Sequence, residues 1–416
     1  MQQDTKADIV VIGAGIVGIS AALELQKRGK QVLVLDREGI GAGASKGNAG
    51  AFAFTDIVPL ATPGIMRKAP KWLLDPLGPL SVPPAYALNI APWMLRFWRA
   101  SCRDHYAASL SAQAALMDYC RAALERQIKD VDGEALMQRD GQLQLFEGEA
   151  EFRASLPTWD LRRDHGIPFD LLDSLDAIAE IQPGLDHRFT HAGFTPTWMN
   201  TVDPALWTSH LAAKFTARGG RVEIAGVTSL TPTEAGVRLT TASGEVSANQ
   251  VIVAAGAWSH QLAKTLGDHI PLETERGYNT TLPKGAFDLR THLTFGGHGF
   301  VVTRINDGVR VGGAVELGGL KLAPNYKRAD TLLAKAGRFL PKLNLEGGKQ
   351  WMGFRPSLPD SLPVIDRTAR APQVLYAFGH GHLGLTQSAG TAELIADLAI
   401  DRKLALDVTP YASTRF

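Results

Sequence analysis

The run Gly13-Ala14-Gly15-Ile16-Val17-Gly18 lies between an apolar stretch and a helical pattern, and an acid, Asp36, follows it. Few folds accommodate that order. Ala7 to Ile12 is short, β-branched and nearly continuous in apolar residues, the pattern of a buried parallel strand. The glycines allow a tight turn, a close approach of backbone to a diphosphate, and close packing of the next helix. Ile16 to Arg28 carries Ile16, Ile19 and Leu23 at helical spacing and stops at Gly29. Lys30 to Leu35 reads as the second strand, with Asp36 at its carboxyl end, where a carboxylate can accept from ribose hydroxyls. The helix start at Ile16 and Val17 offers free N–H groups to phosphates. This is a dinucleotide clamp. The motif does not separate FAD from NAD, and Arg37 leaves a phosphorylated ribose open.

With 416 residues the chain exceeds one compact core and implies two domains or one large composite. An apolar share of 45% and a charged share of 20% describe an ordinary globular protein. The net charge of +1 gives no reason to expect nucleic acid as a partner. The two cysteines, Cys102 and Cys120, have neither metal nor redox spacing, which argues against zinc and fits a reducing cytoplasm. Both read as buried small hydrophobes. No stretch reads as a membrane span, and the first apolar run follows acids and serves as a strand, so a signal peptide is not expected.

Gly41 to Gly50 forms a second glycine-rich loop, in which Ala44, Ser45, Asn48, Ala49 and Gly50 are placed to contact a ligand lying along the first clamp. Residues 56–100 are rich in proline and aromatics: Ile57 to Met66, Trp72-Leu73-Leu74, and Pro92 to Trp98, with Arg67, Lys68, Lys71, Arg96, Arg99 and Arg103 around them. Tryptophan flanked by basic residues suits a membrane interface; a cover for the substrate region or a dimer contact fits equally. Residues 109–129 form an amphipathic helix with Leu116, Tyr119, Cys120, Leu124 and Ile128 on one stripe. Further helices are expected over Glu149–Leu161, Thr201–Arg218 (opened by Asp203-Pro204), Ala329–Leu340 and Ser388–Leu398. Gly141–Phe146 and Val374–Phe378 read as strands. Gly220 to Val253 supplies several more, ending at Ala255-Gly256-Ala257, where a sheet strand would meet the same dinucleotide. Residues 271–318 alternate and carry turn signals, as an antiparallel sheet does. The pattern is α/β: a Rossmann-like dinucleotide domain assembled from 1–55, 200–270 and 350–416. An antiparallel substrate-binding part comes from 56–199 and 271–349, with a helical, apolar insertion at 56–138.

The constellation resembles the FAD-dependent amine and amino-acid oxidoreductases of the D-amino acid oxidase type, and more closely the bacterial D-amino acid dehydrogenases. The resemblance spans essentially the whole chain. It is carried by Gly13-x-Gly15-x-x-Gly18, Ser45-x-x-Asn48-Ala49-Gly50, Ala254-Ala255-Gly256-Ala257-Trp258-Ser259, Trp351-x-Gly353-x-Arg355-Pro356 with Pro359-Asp360, and Gly379-His380-Gly381-x-x-Gly384-x-Thr386. It implies that Gly13, Gly15, Gly18 and Asp36 hold the pyrophosphate and ribose, that Ser45, Asn48 and Ala49 run along the flavin side, and that Val227 touches the adenine. It places Ala255, Gly256 and Trp258 by the ADP moiety, and Gly381, His382, Leu383, Gly384, Leu385 and Thr386 at the flavin pyrimidine edge. A helix start there favours negative charge on the reduced ring.

The same resemblance assigns Arg355 to the substrate carboxylate, which a guanidinium fork grips through parallel hydrogen bonds. Tyr278 is a second donor candidate, or a packed sheet tyrosine; Arg304 and Glu316 read as structural. Members that bind FAD covalently use a cysteine or histidine near it, and neither the cysteines nor the Ser45 loop match, so non-covalent FAD is expected. The implied reaction moves the α-hydrogen of a D-amino acid as hydride to flavin N5, with a D-proline or hydroxy-D-proline-like substrate and a quinone or other acceptor. No side-chain general base is expected to be essential. The expected location is cytoplasmic, with peripheral contact through 56–100 to the inner face of the membrane. A sarcosine- or glycine-type oxidase using oxygen, or a non-catalytic flavin-binding subunit, are the alternatives.

Overall fold

The computed structural model describes residues 7–66, 78 and 80–416. Arg67, Lys68, Lys71 and Trp72-Leu73-Leu74, part of the proposed membrane-facing cluster, lie outside the described residues.

The first unit forms as its sequence dictates. Strand β1 (Ala7–Ile12) runs into helix α1 (Ile16–Lys27) through the glycine turn, and strand β2 (Val32–Asp36) returns parallel to β1. Both faces of this sheet are covered. Ile9 and Val11 join the core beneath α1 and the C-terminal helix (Gly384–Ala399), while Val10 and Ile12 join a separate core on the opposite face. That double burial explains why the strand reads as continuous rather than alternating. Among the described residues the sheet has eight strands. Arg221–Ile224 extends it beyond β2, and Gly244–Val253 lies parallel to β1 on its other side. Val374–Phe378 is parallel to that strand in turn, so first, middle and last parts of the chain meet in one sheet. Helix Pro204–Ala217 starts at Asp203, whose side chain accepts from Ala205 N at 2.7 Å and Leu206 N at 3.3 Å.

A second sheet, of nine strands among the described residues, is mixed but largely antiparallel, and Glu273–Leu282 lies beside Gly308–Leu317 near one edge. Lys349–Ser357 pairs antiparallel with Glu273–Leu282 at the edge of this sheet. That corrects the grouping of 350–416 wholly with the dinucleotide part. The cause is the alternation Trp351-x-Gly353-x-Arg355, which fits a strand with one face turned to a ligand. The helix Arg103–Asp130 buries Leu116, Cys120, Leu124 and Ile128 as the stripe requires. Residues 56–100 hold more regular structure than their proline content implies. Ala87–Ala100 is a helix with Pro92 inside it, and that proline is what masks the helical pattern in sequence. Among the described residues no helix is long and apolar enough to cross a membrane.

The packing of the first turn generates a stability prediction. Gly13 adopts a φ of +110°, and a Cβ there would lie 2.4 Å from the carbonyl oxygen of Ala254. A Cβ on Gly18 would lie 1.9 Å from the carbonyl oxygen of Gly13. Neither obstacle is a flexible side chain. Gly18→Ala should therefore destabilise the protein by about 1–3 kcal/mol, the cost of overpacking a close contact. Its urea midpoint should fall; an unchanged midpoint would mean that the turn is loose.

Candidate active site

A cavity of about 1060 Å³ runs from the end of β2 to the start of the C-terminal helix, between the two large sheets. It is at the upper limit of usual small-molecule sites. At one end Gly13, Gly15, Ile16 and Val17 line it. No acid lies in the first turn of α1 and no side chain caps it at Gly15, so the positive helix end is unopposed. Ser45, in the short helix Ala44–Gly47, accepts from Ile16 N at 2.9 Å. No acceptor for its own hydroxyl proton is present among the described residues, which leaves that proton for a ligand oxygen. An extended diphosphate fits this cradle.

Asp36 lines the cavity, with its carboxylate fastened by backbone. Oδ2 accepts from Ala14 N at 2.8 Å, and Oδ1 from Glu38 N and Gly39 N at 2.8 and 2.9 Å. A carboxylate has further lone pairs, so a ribose can share it. Arg37 stacks on Trp258 at 3.4 Å from the ring centroid and its Nε lies 2.9 Å from Glu38. Its guanidinium is thus held flat in the wall. Val227, Ala255, Gly256 and Trp258 complete this end.

Toward the other end, Ala44, Asn48 and Ala49 line the cavity. The Asn48 side chain is spent locally: Oδ1 accepts from Gly50 N at 2.8 Å and Nδ2 donates to Ala44 O at 3.3 Å. Gly381, His382, Gly384 and Leu385 present the start of the C-terminal helix, which also lacks acids in its first turn. Gly18, Gly50, Leu383 and Thr386 do not line the cavity; they stand behind its wall. Leu383 is core, and Thr386 Oγ1 accepts from Ala53 N at 3.0 Å, tying the helix to the neighbouring chain. Thr386 therefore positions the loop rather than facing a ligand.

Arg355 faces the cavity from its strand, seated over Gly277, where an added Cβ would fall 2.4 Å from its Nη2. Its hydrogen bond is from Nη1 to Ala314 O at 3.0 Å. Ala314 is held at φ +58°, where the pairing of Glu273–Leu282 with Gly308–Leu317 slips between Arg276 and Tyr278. This irregularity turns the carbonyl toward the guanidinium. No ion pair engages Arg355 among the described residues. Burial lowers its pKa and Glu275 counteracts this; a guanidinium remains charged regardless. Among the described residues the cavity therefore contains a cation without a contacting counter-ion.

Tyr278 corrects one expectation. Its ring borders the cavity, but its hydroxyl donates to Glu316 and accepts from Asn325 N at 3.0 Å. Arg276 reinforces that wall by donating to Gly319 O, Leu322 O and Ala323 O. The physical reason is strand parity: Arg276, Tyr278 and Glu316 form a buried polar cluster away from Arg355. Glu316 is thereby structural, and so is Arg304, which pairs with Asp140.

Several lining residues were not singled out in sequence: Glu275, Asn279, His292, Arg310 and the pair Gln142 and Gln144. For Glu275 and Asn279 the signal was alternation within 271–318, on the same parity as Gly277. Asn279 donates to Gly47 O at 2.6 Å, and Arg310 donates to Asn48 O at 2.6 Å, so the substrate sheet clamps the loop around Ala49. His380 and His292 are buried and both are pushed down to about 3 by desolvation. His382 is open to the cavity and is also lowered by desolvation, with Asp56 and Glu275 raising it and Arg355 lowering it.

Comparison with known proteins agrees with this geometry. The family model described as FAD dependent oxidoreductase matches residues 8–398. A D-amino-acid oxidase of Bradyrhizobium diazoefficiens is 34% identical, covering 98% of both chains. A D-amino acid dehydrogenase of Rhizobium johnstonii is 34% identical over 98% of this chain and 99% of its own. Among solved structures, glycine oxidase from Geobacillus kaustophilus superposes with a TM-score of 0.80 at 20% identity, covering 99% of each chain. L-proline dehydrogenase from P. horikoshii does so at 0.76 and 21%, covering 99% of this chain and 98% of its own. At these identities the last two establish the fold.

Two predictions follow from the site's electrostatics and bonding. Tyr278→Phe leaves the Glu316 carboxylate and Asn325 N–H short of a buried partner. It should cost about 1–3 kcal/mol in denaturant titration while changing the affinity for a small carboxylate little; a large loss of that affinity would return Tyr278 to the binding site. His292 and His380 are held neutral when folded, whereas the unfolded chain takes up protons near pH 6.5. Their stability contribution is complete above that pH and lost toward pH 3, at roughly 1.4 kcal/mol per pH unit for each imidazole. His380→Gln should flatten the fall in stability between pH 6.5 and 5, and an unaltered slope would contradict the assignment.

Proposed function

Since the chain belongs to the FAD-dependent oxidoreductase family, we propose that it oxidises a D-amino acid at the carbon bearing the amine, with Arg355 holding the substrate carboxylate. The protein is an FAD-dependent enzyme, and its residues fit that cofactor: the α1 turn and Ser45 for the diphosphate, Asp36 for the ribose, and the C-terminal helix start for the flavin. Bound FAD supplies a hydride acceptor. The observation that carries the substrate reading is Arg355, a guanidinium facing the cavity with one backbone hydrogen bond and no counter-ion in contact among the described residues. The names of the relatives, D-amino-acid oxidase and D-amino acid dehydrogenase, point the same way.

Chain residues account for orientation. Gripped at its carboxylate, a substrate pivots about one axis, and the walls decide which α-hydrogen faces the flavin. Arg310 and Asn279 keep the loop at Ala49 in place, and Thr386 does so for the C-terminal helix. Desolvation lowers the pKa of His382 and Arg355 lowers it further, which disfavours a competing charge there. FAD is held without a covalent bond in this reading: no cysteine lines the cavity among the described residues, and of the histidines that do, His292, His380 and His382, none lies in the Ser45 loop. D-proline and hydroxy-D-proline are the first substrates to test.

A specific observation favours a membrane-borne acceptor such as a quinone over oxygen. On helix Ala87–Ala100, Leu88, Leu95 and Trp98 are 90%, 64% and 50% exposed, with Arg96 exposed beside them. The opposite face of the same helix supplies Trp93, Met94 and Phe97 to the cavity wall. One helix thus joins an apolar, basic surface to the site.

Anaerobic mixing of the FAD-loaded protein with D- and L-amino acids and N-methyl amines tests the reaction. Bleaching by D-amino acids is expected; bleaching by glycine or sarcosine alone would select the amine-oxidase alternative, and none at all a non-catalytic flavin subunit. Arg355→Leu should lower kcat/KM by about 100-fold or more, as expected for removal of a charged pair. Flotation with anionic liposomes should carry the protein upward, and Leu95→Glu with Trp98→Glu should abolish this; failure of the unaltered protein to float would remove the membrane reading.

A further inference from the structure

The strand that seats Arg355 carries an acid with no assigned role. Glu275 is 5% exposed, lines the cavity, and has neither a side-chain hydrogen bond nor an ion pair among the described residues. A buried carboxylate in that condition is costly unless something supplies its missing partner. Glu275 and Arg355 stand directly opposite each other in the antiparallel pair, so they share one face of the sheet. Such pairs have Cβ atoms about 4.5–5.5 Å apart. The two charges influence one another, yet Arg355 turns over Gly277 and bonds Ala314 O instead of closing an ion pair. The other acid in the vicinity, Asp56, already has Arg162 at 3.6 Å. Glu273, two residues earlier on the same face, is taken by Tyr86 at 2.8 Å. Glu275 alone among these acids has nothing to hold.

We propose that Glu275 is the amine subsite: it receives the substrate's α-ammonium group while Arg355 receives the adjacent carboxylate. The inference rests on the reading of Arg355 above and deepens it. An α-amino acid carries opposite charges on neighbouring positions of one carbon, and this sheet face offers the complementary pair on neighbouring strands. The pairing makes a demand that Arg355 alone would not. A ligand with carboxylate and amine satisfies both residues, whereas one with the carboxylate alone places a second anion beside a buried anion. Glu275 is therefore a specificity-determining residue that selects amino acids over plain carboxylic acids.

The test uses FAD-loaded protein and two matched pairs: D-proline with cyclopentanecarboxylate, and D-alanine with propionate. Dissociation constants of the acids are read from perturbation of the flavin absorbance, and KM of the amino acids from turnover. Glu275→Gln should raise KM for the amino acid by about tenfold or more and tighten binding of the deamino acid. Glu275→Ala should give the same opposed shifts and serves if the glutamine variant does not fold. If both ligands move in the same direction, or neither moves, the assignment of Glu275 is overturned. Arg355→Leu separates this from the underlying reading: it should weaken both ligands. If it leaves the acids' dissociation constants unchanged, the carboxylate assignment itself fails, whatever Glu275 does.

Discussion

The close approach of the first glycine turn to the strand end at Ala254 is the contact on which the rest of this structure depends. The Gly13 backbone lies against Ala254, and Gly18 lies against Gly13. That contact brings the free amides of α1, the end of the middle strand and the strand Val374–Phe378 to one side of the sheet. The cavity exists because the three segments stop there together, and the second sheet closes it from above. Side chains at the turn would separate α1 from the sheet and remove the positive helix end from the cavity.

The second constraint is electrostatic. The cavity wall is mainly apolar, yet it contains Arg355, Glu275 and Arg310, together with imidazoles that desolvation holds neutral. Buried charges of this kind are ordinarily paired. Here structural charges are: Glu316 serves Tyr278 and Arg276, and Asp36 serves three amides. Arg310 is spent on Asn48 O and Thr281 Oγ1, whereas Arg355 and Glu275 have no contacting counter-charge among the described residues and share one face of the second sheet.

Much of this was legible in the sequence because it is written in local rules. Gly13 to Gly18, the Asp203-Pro204 helix start and the stripe from Leu116 to Ile128 each specify an element without help from distant residues. The role of Tyr278 was not legible. Its phenol could face either side of the sheet, and only the pairing that sets Glu275 opposite Arg355 fixes which, putting Tyr278 on the other parity. Glu275 escaped notice for the same reason: a strand acid announces nothing until its cross-strand neighbour is known. The placement of Lys349–Ser357 depended on pairing between residues far apart in sequence. Pro92 concealed the helix Ala87–Ala100, because proline is normally a sign that a helix ends.

The most direct measurement of the central claim is a crystal structure of the protein with FAD and a bound small carboxylate at a resolution that shows both. This account predicts the diphosphate at the Gly13–Gly18 turn and the Ser45 hydroxyl, the flavin against the start of the C-terminal helix, and the ligand carboxylate bidentate on Arg355. A diphosphate bound elsewhere, or a carboxylate held by other residues while Arg355 turns away from it, would contradict the account.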